Sequence, residues 1–239
     1  MGRASRKGVT LITPTIRRQY IHRIFDNYAR QQRNPKELII ILNKNSLRRA
    51  DYLEQAKKYR HVRVYQLPER KSLGECLNFG VSKAKYRYIA KIDDDDYYSP
   101  NYISEAMKLL MKPKADLVGK ESIYFYFPHS GKLLLRQRRH RPGQRVWAIA
   151  GATIMFNRRV FRRVKFAKAK QGTDALFIKD CLKQGYRIYT TSKYNFVAVR
   201  RADSRSHTWR ITDKRLLASK NVRVVRTDDF GKIVNRNRR

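Results

Sequence analysis

Acidic residues are scarce in this 239-residue chain: 19 stand against 56 lysines and arginines, a formal net charge of +37. Such an imbalance attracts polyanions, whether nucleic acid, an anionic membrane leaflet, an anionic glycan or nucleotide phosphate, and does not choose among them. Cysteine is nearly absent. Cys76 and Cys181 lie in separate helix-patterned stretches, which argues against a disulfide framework and for buried free thiols in a reducing compartment. Long apolar runs are missing too: no window holds 18 uninterrupted apolar residues, the length a membrane-spanning helix needs. The opening MGRASRKGVTLIT is basic but lacks the apolar stretch of a secretion signal. The expectation is a cytoplasmic protein, peripheral at most on an anionic membrane or cell-assembly surface. Glycine patterns are missing as well. Neither G-x-x-x-x-G-K-[ST] nor G-x-G-x-x-G occurs, so a P-loop is excluded and a dinucleotide site is disfavoured.

What is there is an alternation of short apolar runs and helical spacings. VTLIT (9–13), ELIIIL (37–42), VRVYQL (62–67) and YRYIAKI (86–92) read as strands, and the near-continuous ELIIIL marks one buried on both faces. Between them, residues 20–32 place Ile21, Ile24, Phe25 and Tyr28 at helical spacing. Ser46 is placed to cap a second helix, and Ser72 with Glu75 forms a capping box opening a third, to about Lys83. This βαβαβαβ order predicts a Rossmann-like, mainly parallel sheet flanked by helices. The second half is less regular. DLVGKESIYFYF (116–127) and KLLLR (132–136) read as strands around a PHSG turn, GATIMFN (151–157), RIYTTS and NFVAVRR as further strands, and 173–185 as a helix stopped by Gly185. VRVVRTDDFGKIV (222–234) suggests a hairpin. One domain over 1–239 is expected.

The scarce negative charge is concentrated in KIDDDDYYSP (91–100), directly after the fourth strand. In parallel sheets ligands bind beyond the carboxyl ends of strands, so Thr13, Asn43 and Asp93 to Asp96 are expected to share one crevice. A solvated turn or a helix cap accounts for one carboxylate, not four. Oxygen ligands in a row suit Mg2+ or Mn2+, with a phosphate-bearing substrate completing the coordination.

VTLITPT and the ordered stretch SLGECLNFGVSKAKYRYIAKIDDDDYYSP resemble the inverting glycosyltransferases of family 2, over roughly residues 8–210. The resemblance implies an α/β fold of the GT-A type with a smaller acceptor-side subregion. It implies a nucleotide-sugar half at about 8–115, an acceptor-side half at about 116–210, and a basic C-terminal extension at 211–239. The family's Asp-x-Asp motif falls on Asp93 and Asp95. Asp95 would ligate Mn2+ or Mg2+, Asp93 would meet the ribose or a metal-bound water, and Asp94 and Asp96 are open, one of them orienting the acceptor or bracing the loop. Thr13, Pro14 and Thr15 would wall the nucleotide pocket, and Lys71 would approach the base or diphosphate. The general base falls on Asp174 in QGTDALFIKDCLKQG; the alternative role for that carboxylate is to cap or charge the first turn of a helix. His207 in RSHTW matches a third metal ligand in type and region. Trp147 would stack on a sugar in the acceptor region, and Gly151 would let the chain pass close to the donor.

Two departures stand out. LNKNS puts Asn43 and Lys44 where the family shows carboxylates, which leaves the base open: UDP first, with GDP and dTDP behind it. Thr173 replaces an acidic residue beside Asp174. The expected partners are thus a UDP-sugar and a glycan or protein acceptor, with an anionic surface accounting for the charge. The rival readings are a nucleic-acid-binding protein, which leaves the ordered motifs without a role, and a catalytically degenerate scaffold.

Overall fold

A computed structural model describes residues 7–169, 171–201 and 211–236. Four strands open the chain, β1 (Val9–Thr15), β2 (Lys36–Leu42), β3 (Val62–Gln66) and β4 (Tyr88–Lys91), connected by helices α1 (Ile21–Ala29), α2 (Arg49–Ala56) and α3 (Leu73–Lys83). There follow β5 (Tyr97–Tyr98), α4 (Tyr102–Leu110), β6 (Leu117–Gly119), β7 (Ile123–Phe127), β8 (Lys132–Arg136), β9 (Arg145–Val146), β10 (Met155–Asn157), α5 (Thr173–Lys183), β11 (Ile188–Thr190), β12 (Phe196–Val199), α6 (Asp213–Leu217), β13 (Val222–Arg226) and α7 (Gly231–Val234). The large sheet runs β3-β2-β1-β4-β10-β6-β11-β9, with the first four strands parallel and β10 antiparallel to both neighbours. A smaller sheet runs β13-β8-β7-β12-β5.

The unbroken run ELIIIL is explained by its two covered faces. Leu38, Ile40 and Leu42 pack with Ile24, Phe25 and Tyr28 of α1 and Tyr52 of α2, while Ile39 and Ile41 pack with Leu77 and Val81 of α3. Side chains alternate across a strand, so a strand covered twice has no solvent-facing position, and the one polar residue of this run, Glu37, is buried with Arg63 at 2.7 Å. The Ser72–Glu75 capping box forms, with the Glu75 N–H donating to Ser72 Oγ at 3.3 Å and the Ser72 N–H to Glu75 Oε2 at 2.9 Å. Cys76 and Cys181 are buried and unbridged, and burial pushes their thiols up to about 11 and about 12. Among the described residues no helix is long and apolar enough to cross a membrane.

Four local expectations are corrected. Ser46 does not cap α2: a turn from Lys44 to Leu47 buries Leu47, and the helix starts at Arg49. The apolar stretch 116–127 is two strands in different sheets. The chain changes sheet at Lys120, 1% exposed, whose ammonium meets Glu105 at 3.3 Å and the Ser192 carbonyl at 2.8 Å. Residues 151–157 begin with a 3-10 turn, Gly151–Thr153, before β10. The expected C-terminal hairpin is absent, because β13 pairs with β8 and the chain then enters α7. The described part of 211–239 is therefore built into the smaller sheet: Val234 is fully buried and its carbonyl accepts from Asn195 N at 2.9 Å.

Candidate active site

Strand order reverses between β1 and β4, since β2 and β3 lie on the far side of β1. Such a reversal opens a crevice at the strands' carboxyl ends. Thr15 ends β1, and Asp93 to Asp96 follow β4. Between them the Thr15 hydroxyl donates to Asp94 Oδ2 at 2.5 Å. The aspartate turn then enters β5 of the smaller sheet, so both sheets hold it. Tyr98 is the clamp: its hydroxyl accepts from Asp93 N at 2.9 Å and donates to the Ala152 carbonyl at 2.7 Å.

The four carboxylates alternate. The side chains of Asp93 and Asp95 are 31% and 13% exposed, that of Asp94 only 2%, and Asp96 is buried. Arg17 ties the middle pair, with one guanidinium nitrogen 2.9 Å from Asp94 Oδ1 and another 2.8 Å from Asp95 Oδ2. Arg201 adds a contact to Asp95 Oδ2 at 3.5 Å. Asp96, left open above between orienting the acceptor and bracing the loop, is buried against β12: its carboxylate accepts from Val199 N at 3.0 Å, and its carbonyl accepts from Asn27 at 2.9 Å. It braces the loop.

Burial first, and Asp95 next, push Asp94 up to about 6 against the opposing pull of Arg17 and Thr15. The folded chain therefore keeps a proton that an unfolded aspartate releases near pH 4. The group's stabilising contribution is fully present below pH 4 and is lost as pH rises through about 6. A pH series of melting temperatures from 4.5 to 7.5 should accordingly show a flatter profile in Asp94→Asn than in the parent chain.

The least expected member of the site is Lys91, 2% exposed in the middle of the cluster. Its ammonium lies 2.6 Å from Asp93 Oδ1, 3.1 Å from Asp174 Oδ2 and 3.4 Å from the Gly151 carbonyl. Burial alone lowers a lysine, but Asp174 and Asp93 more than reverse it, so Lys91 is held above its ordinary value and stays charged. The signal was present in YIAKI: a lysine inside a strand buried on both faces needs a carboxylate partner.

Asp174 sits in the first turn of α5, after Gly172 at φ 74°. Its Oδ2 faces Lys91, while its Oδ1 is buried with no hydrogen-bond partner among the described residues. Gly151 lies against it: a Cβ there would stand 2.5 Å from Asp174 Oδ2 and 2.7 Å from its Cβ. Gly151 thus makes room for Asp174. Gly151→Ala is expected to displace that carboxylate and lower any transfer dependent on it by about 100-fold, with nucleotide affinity unchanged in calorimetry.

The remaining candidates divide. Thr13 is fully buried, and its hydroxyl has no partner among the described residues; Pro14 and Thr15 continue β1 to the crevice. Asn43 is a strut, donating its N–H to the Thr15 carbonyl and its amide to the Pro68 carbonyl, both at 2.9 Å. Lys71 is engaged with Glu75 at 2.9 Å, and that bond, with the Ser72 N–H, holds Glu75 down at about 2. Trp147 is 62% exposed, with Arg145 over its ring, and is no core residue. His207 lies outside the described residues.

Asp93 and Asp95 are hard oxygen donors at the crevice and fit a divalent cation in chemistry. Among the described residues no three His, Cys, Asp or Glu side chains form a metal-binding group, so phosphate oxygens, water or a residue outside the described ones would complete the shell.

Residues 10–168 match the family model Glycosyl transferase family 2. The chain belongs to that family, and its mixed sheet has the GT-A fold. The O-antigen biosynthesis glycosyltransferase WbnJ of Escherichia coli is 31% identical over 108 residues, 42% of this chain and 40% of that protein. Residues 1–349 of S. aureus TarS, solved in complex with UDP-GlcNAc, superpose with a TM-score of 0.66 at 16% identity, over 86% of this chain and 61% of that one. The mannosyltransferase PcManGT from Pyrobaculum calidifontis, in complex with GDP-Man and Mn2+, superposes at 0.62 and 18% identity over 84% and 59%. The chain thus spans about two fifths of WbnJ and three fifths of the two solved structures.

Proposed function

We propose that the chain transfers a sugar from a nucleotide-sugar donor, UDP-linked in the first instance, to an acceptor hydroxyl with inversion at the anomeric carbon. The observation that carries this reading is the buried Lys91 ammonium, which brings a donor-side carboxylate, Asp93, and an acceptor-side one, Asp174, to opposite ends of one ion-paired unit. The Asp174 carboxylate, its side chain 25% exposed and its Oδ1 without a hydrogen-bond partner among the described residues, takes the proton of the acceptor hydroxyl. The acceptor oxygen attacks the anomeric carbon, the bond from that carbon to the phosphate oxygen breaks, and the nucleoside diphosphate departs. Pro14, Thr15 and Asn43 border the nucleotide side with Thr13 buried behind them, while Trp147 offers an exposed face to a sugar. Asp95, with Asp93 beside it, would hold Mn2+ or Mg2+, which when bound supplies positive charge against the departing diphosphate.

Arg17 and Arg201 meanwhile neutralise Asp95. Asp95 would hold the cation, which when bound would supply the positive charge that Arg17 and Arg201 now provide there, and Arg17, at the rim of the same crevice, is placed to meet the diphosphate. Arg17→Gln is thus expected to bind Mn2+ several-fold more tightly in the absence of nucleotide, and UDP more weakly in its presence, both by calorimetry. The reading as a whole is tested by thermal stabilisation with UDP and Mn2+. A rise in melting temperature in the parent chain that is lost in Asp95→Ala supports it, and an equal rise in both contradicts it.

A further inference from the structure

β4 and β10 hold the candidate site at one end, through Lys91 and the Gly151 turn. At their other end they border a second concavity. It is a groove of about 760 Å3 between the end of α3, the start of β4 and the 3-10 turn Arg158–Arg162. Arg87 immediately precedes β4, so at ~3.3 Å per residue the groove opens roughly 20 Å from Asp93.

Six of its ten lining residues are basic, Lys85, Arg87, Arg158, Arg159, Arg162 and Lys165, and none is acidic. The chain as a whole has 56 basic residues in 239, a rate that would give about two in ten. Two of the six are fixed from within. Arg158 donates to the Ala84 carbonyl at 2.5 Å, and Arg159 pairs with Asp116 at 2.5 Å. Arg87, Arg162 and Lys165 are exposed, and no carboxylate among the described residues pairs with them. Like charges held this close repel unless an anion lies among them.

The shape and the residue types narrow the anion. A concave groove receives an extended chain, where a bilayer would present a flat face. Four of the cations are arginines, whose planar forks match phosphate oxygens. The one aromatic ring lining the groove, Phe161, has the Lys165 ammonium 3.6 Å from its centroid, so a nucleic-acid base would have to compete with that cation to stack there. We propose that this groove docks a linear polymer of phosphate groups, at the opposite end of β4 from the chemistry. The enzyme would then sit on an anionic polymer while its crevice stays open to donor and acceptor.

The test compares two charge reversals of equal size in the full chain: Arg162→Glu/Lys165→Glu in the groove and Lys214→Glu/Lys220→Glu, both exposed, around α6 on the smaller sheet. Binding of medium-chain inorganic polyphosphate is measured across a salt series. The groove pair is expected to weaken binding by about tenfold or more and to flatten the slope of log K against log salt by about 2, since each lost phosphate contact removes close to one counterion. The α6 pair is expected to stay within about twofold. Equal losses in both pairs, or none in the groove pair, would overturn the proposal. So would a groove pair that loses binding to phosphatidylglycerol vesicles but keeps polyphosphate, or a single-stranded oligonucleotide that outcompetes polyphosphate at the groove. Stabilisation by UDP and Mn2+, measured on the same variants, confirms that each has folded.

Discussion

Asp174→Asn is expected to lower sugar transfer by about 10²- to 10⁴-fold, the range that a positioned general base contributes, with nucleotide affinity in calorimetry within about twofold of the parent. Asparagine keeps the size that Gly151 accommodates and removes the proton-accepting charge. The helix-charging alternative has a different signature, because a carboxylate that only complements the macrodipole of α5 is worth less than about 1 kcal/mol of stability and nothing in turnover. A variant that melts slightly lower but turns over at the parental rate would assign Asp174 to that lesser role. Loss of turnover with nucleotide affinity kept assigns it to the base, whatever melting temperature is lost with the Lys91 contact.

The second large effect belongs to Lys91→Met. Methionine fills much of the same space, but Asp93 and Asp174 then face each other without the ammonium that lies 2.6 Å and 3.1 Å from them. Removing one partner of a buried ion pair costs about 3–5 kcal/mol. The lower end applies, because the two carboxylates remain 31% and 25% exposed and water screens them in part. About 3 kcal/mol lowers the melting temperature of a chain of this size by roughly 6–12 °C. Adding Asp93→Asn should restore part of that stability, since it removes the repulsion, yet leave transfer impaired. A double variant no more stable than Lys91→Met would show that Lys91 acts by packing alone.

The first half of the fold was legible because three of its four strands, β1, β2 and β4, are buried on both faces, and its helices on one. ELIIIL and the Ser72–Glu75 box each state one local solution with little competition. The chain beyond Lys120 was harder. Its strands are two to five residues long and switch sheets, and what fixes them lies far away in sequence: Lys120 on Ser192, Tyr98 on Ala152, Asp96 on Val199. No local pattern reports such contacts. VRVVR reads as half of a hairpin because its true partner, β8, lies about ninety residues earlier.

The site divides in the same way. The position of the four aspartates follows from the strand before them, but which of them face out, Asp93 and Asp95, and which in, Asp94 and Asp96, depends on Thr15, Tyr98 and Val199 holding the turn. What a linear reading does not give is the cations. Arg17 is 78 residues from Asp95, and Lys91 meets Asp174 across 83 positions. The four adjacent carboxylates that looked electrostatically exposed on the page are matched in the fold by Lys91, Arg17 and Arg201.

The central claim is a single displacement driven by one base, and the configuration of the first product tests it most directly. With water as acceptor and an α-linked nucleotide sugar as donor, proton NMR of the sugar released in the first minutes, before it mutarotates, is expected to show the β anomer. Initial release of the α anomer would contradict the account, because a lone Asp174 acting on the acceptor cannot retain configuration.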